Sequence, residues 1–396
     1  MKIYWCHSHF LHWLGSSKYI FEVVKVLSKK YKVTIVASVL SPQAVSNFTS
    51  IGIRTVSLND KSTNSILYWL NLKRNINRES EKLRKIVSPN DLIISSMFPM
   101  NCIAERLSNM HIQCCWEPYA LFYDNNYIEG FSWLQKIFIF FVSFFYRNLD
   151  LTSTRKAAKI ITLSEFTKVW IGKIYKRKDA LISYEGVDTK FFKKSKNANL
   201  ENKYRGKKII FHSTDFTAVK GTKYLIDTFP KVLKVFPNTK LLISSTIDNP
   251  HEKRKYMYVA KNFGFDKNIE FLGSVDYKLL PAYYSLAGVV VQPSIKQNMS
   301  LPVKEAMSCE TPIVTLKEGY EQTPDGWAGL LVDSRNSEEI AEAIIKIIGN
   351  EKLSIKMGKI GRKIILRKFS WDRVAKVFDE AICSTVAKVH RIEKIY

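Results

Sequence analysis

The sequence predicts an α/β protein built as two Rossmann-like, doubly wound parallel-sheet domains facing a central cleft. Three observations carry that expectation. The 396 residues are too many for one ordinary core and suit two. Short apolar runs alternate with amphipathic helical stretches along the whole chain. The rhythm also restarts after a polar, lysine-rich interval at 186–208, which reads as a linker.

In the first half, "KIYWC" (2–6) reads as a strand, "SSKYIFEVVKVLSKK" (16–30) as a helix and "KVTIVAS" (32–38) as the next strand. "DLIISS" (91–96), "IQCCW" (112–116), "KIITLS" (159–164) and "ALISY" (180–184) continue the series. Strands this apolar, separated by helices, belong to parallel sheets covered on both faces. The second half offers "KKIIFHS" (207–213), a helix over 222–236 despite Pro230, then "KLLISS" (240–245) and "IEFLG" (269–273). "GVVVQP" (288–293), "PIVTL" (312–316) and "GLLVD" (329–333) follow, with a helix at 337–349 and two more to the end. The expected division is 1–190, 191–370 and a C-terminal helix, 371–396, crossing back to the first domain.

Composition narrows the function. Hydrophobic residues make up 46% and charged residues 24%, a folded composition. A formal net charge of +25 calls for an anionic partner: nucleic acid, an acidic bilayer or a phosphorylated substrate. Zinc fingers, aromatic ribonucleoprotein motifs and basic recognition helices are absent from the sequence, so nucleic acid is not the expected partner. The six cysteines form no C-x-x-C pair and read as reduced, buried thiols of a cytosolic protein. "MKIYWCHSHF" lacks a signal peptide's basic start and long apolar region. "FSWLQKIFIFFVSFFYRNL" (131–149) is almost wholly apolar and is followed by Arg155, Lys156, Lys159, Lys168, Lys173, Lys176, Arg177 and Lys178. Its unbroken apolar part, 137–146, is too short to span a bilayer. It is either a core helix or one that dips into an acidic membrane surface beside a basic collar. The second reading places the protein peripherally at the inner face of the membrane.

Ligands of open α/β sheets bind at the carboxyl ends of the strands, which selects the loops to inspect. "LGSSK" after the first strand puts Gly15 at a helix start, where backbone can approach a ligand. After "KIIFHS", which ends at Ser213, "TDFTAVKG" sets Lys220 and Gly221 just before a helix, where an ammonium can meet a diphosphate. After "GVVVQP", residues Gln297 to Pro302 lead into a helix at Leu301 or Pro302. Amides of Met299, Ser300 and Leu301 would then point at one anion. Glu305, near the first turn, suits the two hydroxyls of a ribose. His7, His9 and His12 read as a strand-end loop as readily as a metal site, and no Asp-x-Asp pair occurs.

"PSIKQNMSLPVKEAMSCETPIV" (293–314) resembles the donor-site signature of retaining GT-B glycosyltransferases of family four, glycosyl transferases group 1. The resemblance extends through "AVKGTKYLIDTF", "NIEFLGSVDYKLLPAYYSLAGVVVQPS", "GWAGLLVD" and "FSWDRVAKVF", and more diffusely through "LSEFTKVWIGKIY" and "GVDTKFF". It implies transfer of a hexose from a nucleotide-diphosphate sugar, GDP-mannose first and a UDP-hexose second, with retention and without metal or cofactor. The acceptor it implies is a glycan or lipid-linked group in cell-surface glycan assembly. It implies Lys220, Glu305 and Gln297 as catalytic residues. Gly15, Ser213, Lys220, Gln297, Met299, Ser300, Leu301 and Glu305 would bind the donor, and Trp116 and Glu117 the acceptor. Four positions depart from the family pattern. Gln297 replaces a glutamate, Thr214 and Asp215 stand where an arginine is usual, Trp116 replaces a histidine, and Glu310 replaces a glycine. The alternative is a non-catalytic GT-B scaffold or partner subunit.

Overall fold

The computed structural model describes residues 1–11, 15–58, 66–129, 131–217, 220–245, 249–294, 300–316, 328–332 and 336–393. The chain divides into two compact units: Met1–Glu185 with Trp371–Tyr396, and Gly186–Ser370.

The first unit opens with β1 (Lys2–Phe10), α1 (Ser16–Leu27), β2 (Lys32–Leu40), α2 (Pro42–Ser50), β3 (Arg54–Ser57), α3 (Ile66–Leu70) and α4 (Leu72–Arg84). It continues through β4 (Leu92–Ser96), α5 (Met100–Glu105), β5 (His111–Cys114), α6 (Ala120–Tyr123), α7 (Asn125–Glu129) and α8 (Trp133–Lys156). β6 (Lys159–Thr162), α9 (Glu165–Tyr175) and β7 (Leu181–Ile182) close it. Its seven-stranded sheet runs β3-β2-β1-β4-β5-β6-β7. Every pairing is parallel, with Ile3 between Val33 and Leu92. Strand order reverses between β1 and β4.

The second unit contains α10 (Ala198–Lys203), β8 (Lys208–Thr214), α11 (Thr222–Val235), β9 (Thr239–Ser245), α12 (Pro250–Asn262), β10 (Ile269–Gly273) and α13 (Leu280–Leu286). β11 (Val289–Gln292), α14 (Leu301–Ser308), β12 (Ile313–Leu316), β13 (Gly329–Val332), α15 (Ser337–Ile348) and α16 (Glu351–Lys368) follow. The sheet order is β10-β9-β8-β11-β12-β13, again parallel throughout, with reversal between β8 and β11. The last helix, α17 (Trp371–Glu393), packs on α1 and puts Val374, Phe378 and Ile382 into the first unit's core.

Local chemistry explains the helix starts. Ser41, Ser164, Asn249, Asn336 and Asn350 each cap a helix through a side-chain oxygen, and Ser132 with Gln135 forms a capping box on α8. The structure also corrects several expectations. β1 runs to Phe10, so His7 and His9 lie inside a strand and not in a strand-end loop. β7 is only Leu181–Ile182. The interval 186–208 is no free linker. Val187 bridges Ser370, Phe192 is buried, and α10 lies within it, so the second unit begins at Gly186 rather than after residue 190. α8 is a 24-residue helix that buries Ile139 and Val142 in the first unit's core but exposes Phe140, Phe141, Phe144 and Phe145, so 137–146 is a core helix on one side only. Among the described residues, no helix is long and apolar enough to cross a membrane.

Candidate active site

In the second unit the reversal of strand order leaves two neighbouring loops at the carboxyl ends of β8 and β11, where ligands of such sheets sit. They are locked together at Gly221. Its φ is +70°, and a Cβ there would fall 2.0 Å from the carbonyl oxygen of Pro293. No side chain fits, so the loop before α11 rests directly on the loop after β11.

A buried chain of hydrogen bonds supports the same corner. His212 Nδ1 lies 2.8 Å from the carbonyl of Val291, which can only accept, so Nδ1 carries the proton. Burial pushes the imidazole down to about 4, so it is neutral and Nε2 accepts from the Thr222 hydroxyl at 3.0 Å. Thr222 in turn accepts from Thr214 at 2.8 Å, and Thr214 accepts the Phe216 N–H at 2.9 Å. Thr214, one of the positions where an arginine is usual, is therefore a buried tie between β8 and α11. Gln292 adds a second tie, donating to the carbonyl of Ser213 at 3.0 Å.

Lys220 stands half-buried at the end of this loop, with its ammonium 4.0 Å from Asp215. Burial pushes the Asp215 carboxyl up, but the Thr217 hydroxyl and N–H and the Lys220 charge outweigh it and hold the group below the ordinary carboxylate range. The second of the two arginine positions thus holds an anion facing Lys220.

On the facing loop, Ser300 caps α14 by backbone alone, and Pro302 occupies its first turn. The N–H of Leu301, in that same turn, has no acceptor within the helix. The hydroxyls of Ser294 and Ser300 are buried without hydrogen-bond partners. Glu305 lies in the second turn of α14 rather than the first. It is buried and accepts from the Tyr284 hydroxyl at 2.8 Å. Burial, then the Glu305 charge, holds the Tyr284 phenol far above its ordinary range, so it stays a donor. Gln297 and Met299 lie outside the described residues.

Behind the site, Arg362 of α16 anchors the C-terminal end of α14. It donates to the carbonyls of Phe192, Ser308 and Thr189 at 2.7, 2.9 and 2.8 Å and to the Ser308 hydroxyl at 2.7 Å. Glu310 adopts φ +61°, a left-handed conformation that accounts for a glycine being usual there.

The first unit gathers its own set at the carboxyl ends of β1, β4 and β5. Gly15 caps α1 with φ +41°, and nothing lies within 4 Å of where a Cβ would be, so backbone conformation alone calls for glycine. Trp116 packs edge-on against His7 and Tyr19, at 5.6 and 5.8 Å between ring centres. Trp116 and the exposed Glu117 line a pocket of about 280 Å³ with Gln113, Tyr119 and Asp150. The Gln113 side-chain oxygen is buried without a hydrogen-bond partner. Asp150 is occupied, accepting from Asn101, Tyr123 and Tyr175 at 2.8, 2.9 and 2.7 Å. Among the described residues, no group of three or more His, Cys, Asp or Glu side chains is arranged to hold a metal ion.

The switch point of this parallel sheet thus gathers a lysine, two unpartnered hydroxyls, a helix start and a buried carboxylate, the place where ligands of doubly wound α/β domains sit. Known proteins resemble the chain in this region and beyond it. Residues 193–364, within the second unit, match the family model described as "Glycosyl transferases group 1". An uncharacterized glycosyltransferase of Methanocaldococcus jannaschii is 26% identical over 73% of this chain and 75% of its own length. The MMP alpha-(1->4)-mannosyltransferase of Mycolicibacterium hassiacum is 26% identical over 51% of this chain, which spans only 48% of that relative. Among solved structures, a Rickettsia africae glycosyltransferase aligns over 97% of this chain and 98% of its own (TM-score 0.75, 16% identity). An Anabaena protein solved in complex with UDP aligns over 97% and 100% (TM-score 0.76, 15% identity). These alignments share the fold: two parallel-sheet, Rossmann-like units.

Proposed function

We propose that the chain is a retaining, metal-independent hexosyltransferase that uses a nucleotide-diphosphate sugar. The observation that carries this reading is the convergence of Lys220, the Ser300–Leu301 helix start, the unpartnered Ser294 and Ser300 hydroxyls and Glu305 at the β8/β11 switch point. In this mechanism Glu305, oriented by Tyr284, accepts from the ribose hydroxyls. Lys220 and the first-turn amide of α14 hold the diphosphate and offset the charge that develops on it as the glycosidic bond breaks. Gln297 orients the hexose through its amide. The acceptor hydroxyl attacks from the face the diphosphate leaves, and its proton passes to the departing phosphate oxygen, so no protein nucleophile is needed.

The acceptor is a glycan or lipid-linked group met on the cytoplasmic side. Trp116, Gln113 and Glu117 of the first unit are the residues we assign to it. GDP-mannose is the first donor to test, in keeping with the mannosyltransferase among the relatives. A UDP-hexose is the second, in keeping with the Anabaena structures containing UDP and UDP-glucose.

Thermal shift against a panel of sugar nucleotides tests the reading. A donor at one hundred times its Kd stabilises by about 2.7 kcal/mol. Turnover must persist in chelator, and NMR of the product must show the donor's anomeric configuration. The Asp215–Lys220 pair favours one other reading, a non-catalytic scaffold, because it half-neutralises the cation of the diphosphate site. In that case no donor shifts the melt, and Gln297→Glu gains no transfer.

A further inference from the structure

The outer side of α8 has no role in the site above. Trp133, Leu134, Phe140, Phe141, Phe144 and Phe145 are each more than half exposed. At 3.6 residues per turn they fall within an arc of about 140°. Their ring contacts are with one another, Phe140 with Phe141 at 5.9 Å and Phe144 with Phe145 at 5.3 Å. The opposite side, through Ile139 and Val142, is buried. The neighbouring α9 exposes Phe166 and Val169 as well. So large an apolar face is rarely left in water.

The charge beside it says what covers it. Lys136 and Arg147 lie along one edge of the arc, about 16 Å apart. Between them runs a groove of about 700 Å³, floored by Leu121, Ile128 and Phe140, and no acidic residue lines it. The sequence has no Asp or Glu from 130 to 149. A second copy packed antiparallel on this face would set cation against cation with nothing to offset them. Further along, Lys156 and Arg177 are engaged by Glu105 and Asp179, while Lys173, Lys176 and Lys178 have no ion pair among the described residues.

We propose that the outer face of α8 docks on an anionic bilayer, with its aromatic side chains in the interface and Lys136 and Arg147 on lipid phosphates. The proposal stands on α8 alone and not on the glycosyl-transfer reading.

Co-sedimentation with vesicles, without any sugar nucleotide, tests it. The full chain must partition into phosphatidylglycerol-containing vesicles at least about tenfold better than into phosphatidylcholine alone, and lose that preference in high salt. Phe140→Ser with Phe144→Ser must weaken partitioning by about tenfold or more without lowering the melting temperature. Should that pair melt early, Trp133→Ser with Leu134→Ser, at the exposed helix start, must show the same loss. Lys136→Glu must reduce the anionic preference. Equal binding to both vesicle types, no binding, or variants that bind like wild type overturn the proposal. So does a dimer seen by light scattering that the phenylalanine pair dissociates, which would give the face to a second copy.

Discussion

The ammonium of Lys220 and the carboxylate of Asp215 face each other across 4.0 Å on the loop between β8 and α11. The lysine we assign to the diphosphate therefore starts with a resident anion. Displacing that anion costs part of the binding energy. Both groups are about a third exposed, so solvent screens the pair and its worth is about 0.5–1 kcal/mol. Asp215→Asn should tighten nucleoside diphosphate binding two- to fivefold by calorimetry at low salt. Lys220→Ala should weaken it tenfold or more. An Asp215→Asn protein that binds no better would remove the competition argument.

Tyr284 and Glu305 are hydrogen-bonded in the other half of the candidate site. If Glu305 holds the ribose, Glu305→Ala removes charge-assisted hydrogen bonds worth about 1.5–3 kcal/mol. Affinity for the free diphosphate should fall ten- to a hundredfold with the fold intact. Tyr284→Phe leaves the carboxylate in place but takes away a buried donor, which costs about 1–3 kcal/mol of stability. Its effect on affinity should be smaller than that of Glu305→Ala. The opposite ranking, read by calorimetry and melting together, would place Tyr284 and not Glu305 on the ligand.

Glu310 holds φ +61° while the backbone of α16 passes close by, since a Cβ at Gly358 would meet the Glu310 carbonyl oxygen at 1.9 Å. The left-handed conformation costs an L-residue about 1–2 kcal/mol, against roughly 0.5–1 kcal/mol of extra chain entropy for glycine. Glu310→Gly should raise stability by up to about 1 kcal/mol in urea denaturation and leave ligand affinity unchanged. A destabilised variant would show that the Glu310 side chain contributes more than its backbone costs.

Burial pushes His7 and His111 down to about 3 and His212 to about 4, from an ordinary 6.5. Below pH 6.5 the unfolded chain takes up protons that the folded chain refuses. The contribution of these groups is complete above 6.5 and is lost as pH falls, by up to about 1.4 kcal/mol per pH unit for each. Glu79 and Asp150, whose carboxyls burial pushes up, act in the opposite sense, and their contribution is lost as pH rises. Melting temperature should therefore drop between pH 7 and pH 5. His212→Gln should flatten the slope by about one proton. A flat profile in wild type would contradict the buried, neutral histidines.

Much of this architecture was legible because parallel strands buried on both faces are written as apolar runs. "DLIISS" and "GVVVQP" could be little else. What escaped is polar or non-local. β3, with the sequence RTVS, carries no apolar run and is a strand only because β2 offers it an edge. α4 gives little signal in the sequence because it is strongly polar, and the apolar residues of its buried side are only Leu72, Ile76 and Leu83. The His212–Thr222–Thr214 chain gave no local signal, since its partners converge only once β8, α11 and β11 have assembled. Within the candidate site, strand-end position and charge single out Lys220 and Glu305, whereas Asp215 shows in the sequence only as a missing arginine. That it faces Lys220 follows from the turn held by Thr217. The orphaned hydroxyls of Ser294 and Ser300 have no sequence signature at all.

The return of α17 to the first unit has a consequence for biosynthesis. Trp5 and Tyr19 near the start of the chain pack on Phe378 and Trp371 near its end, and Ser183 donates to the Val374 carbonyl. The first unit's core stays open on a ribosome until α17 has emerged. The second unit is one continuous stretch from Gly186 to Ser370 and is complete before that. The usual order of domain maturation, N-terminal first, is inverted. In the interval Trp5, Ile20 and Val23 lack the cover that Val374, Phe378 and Ile382 give them in the finished core, so the nascent chain exposes an apolar strip that the finished protein does not.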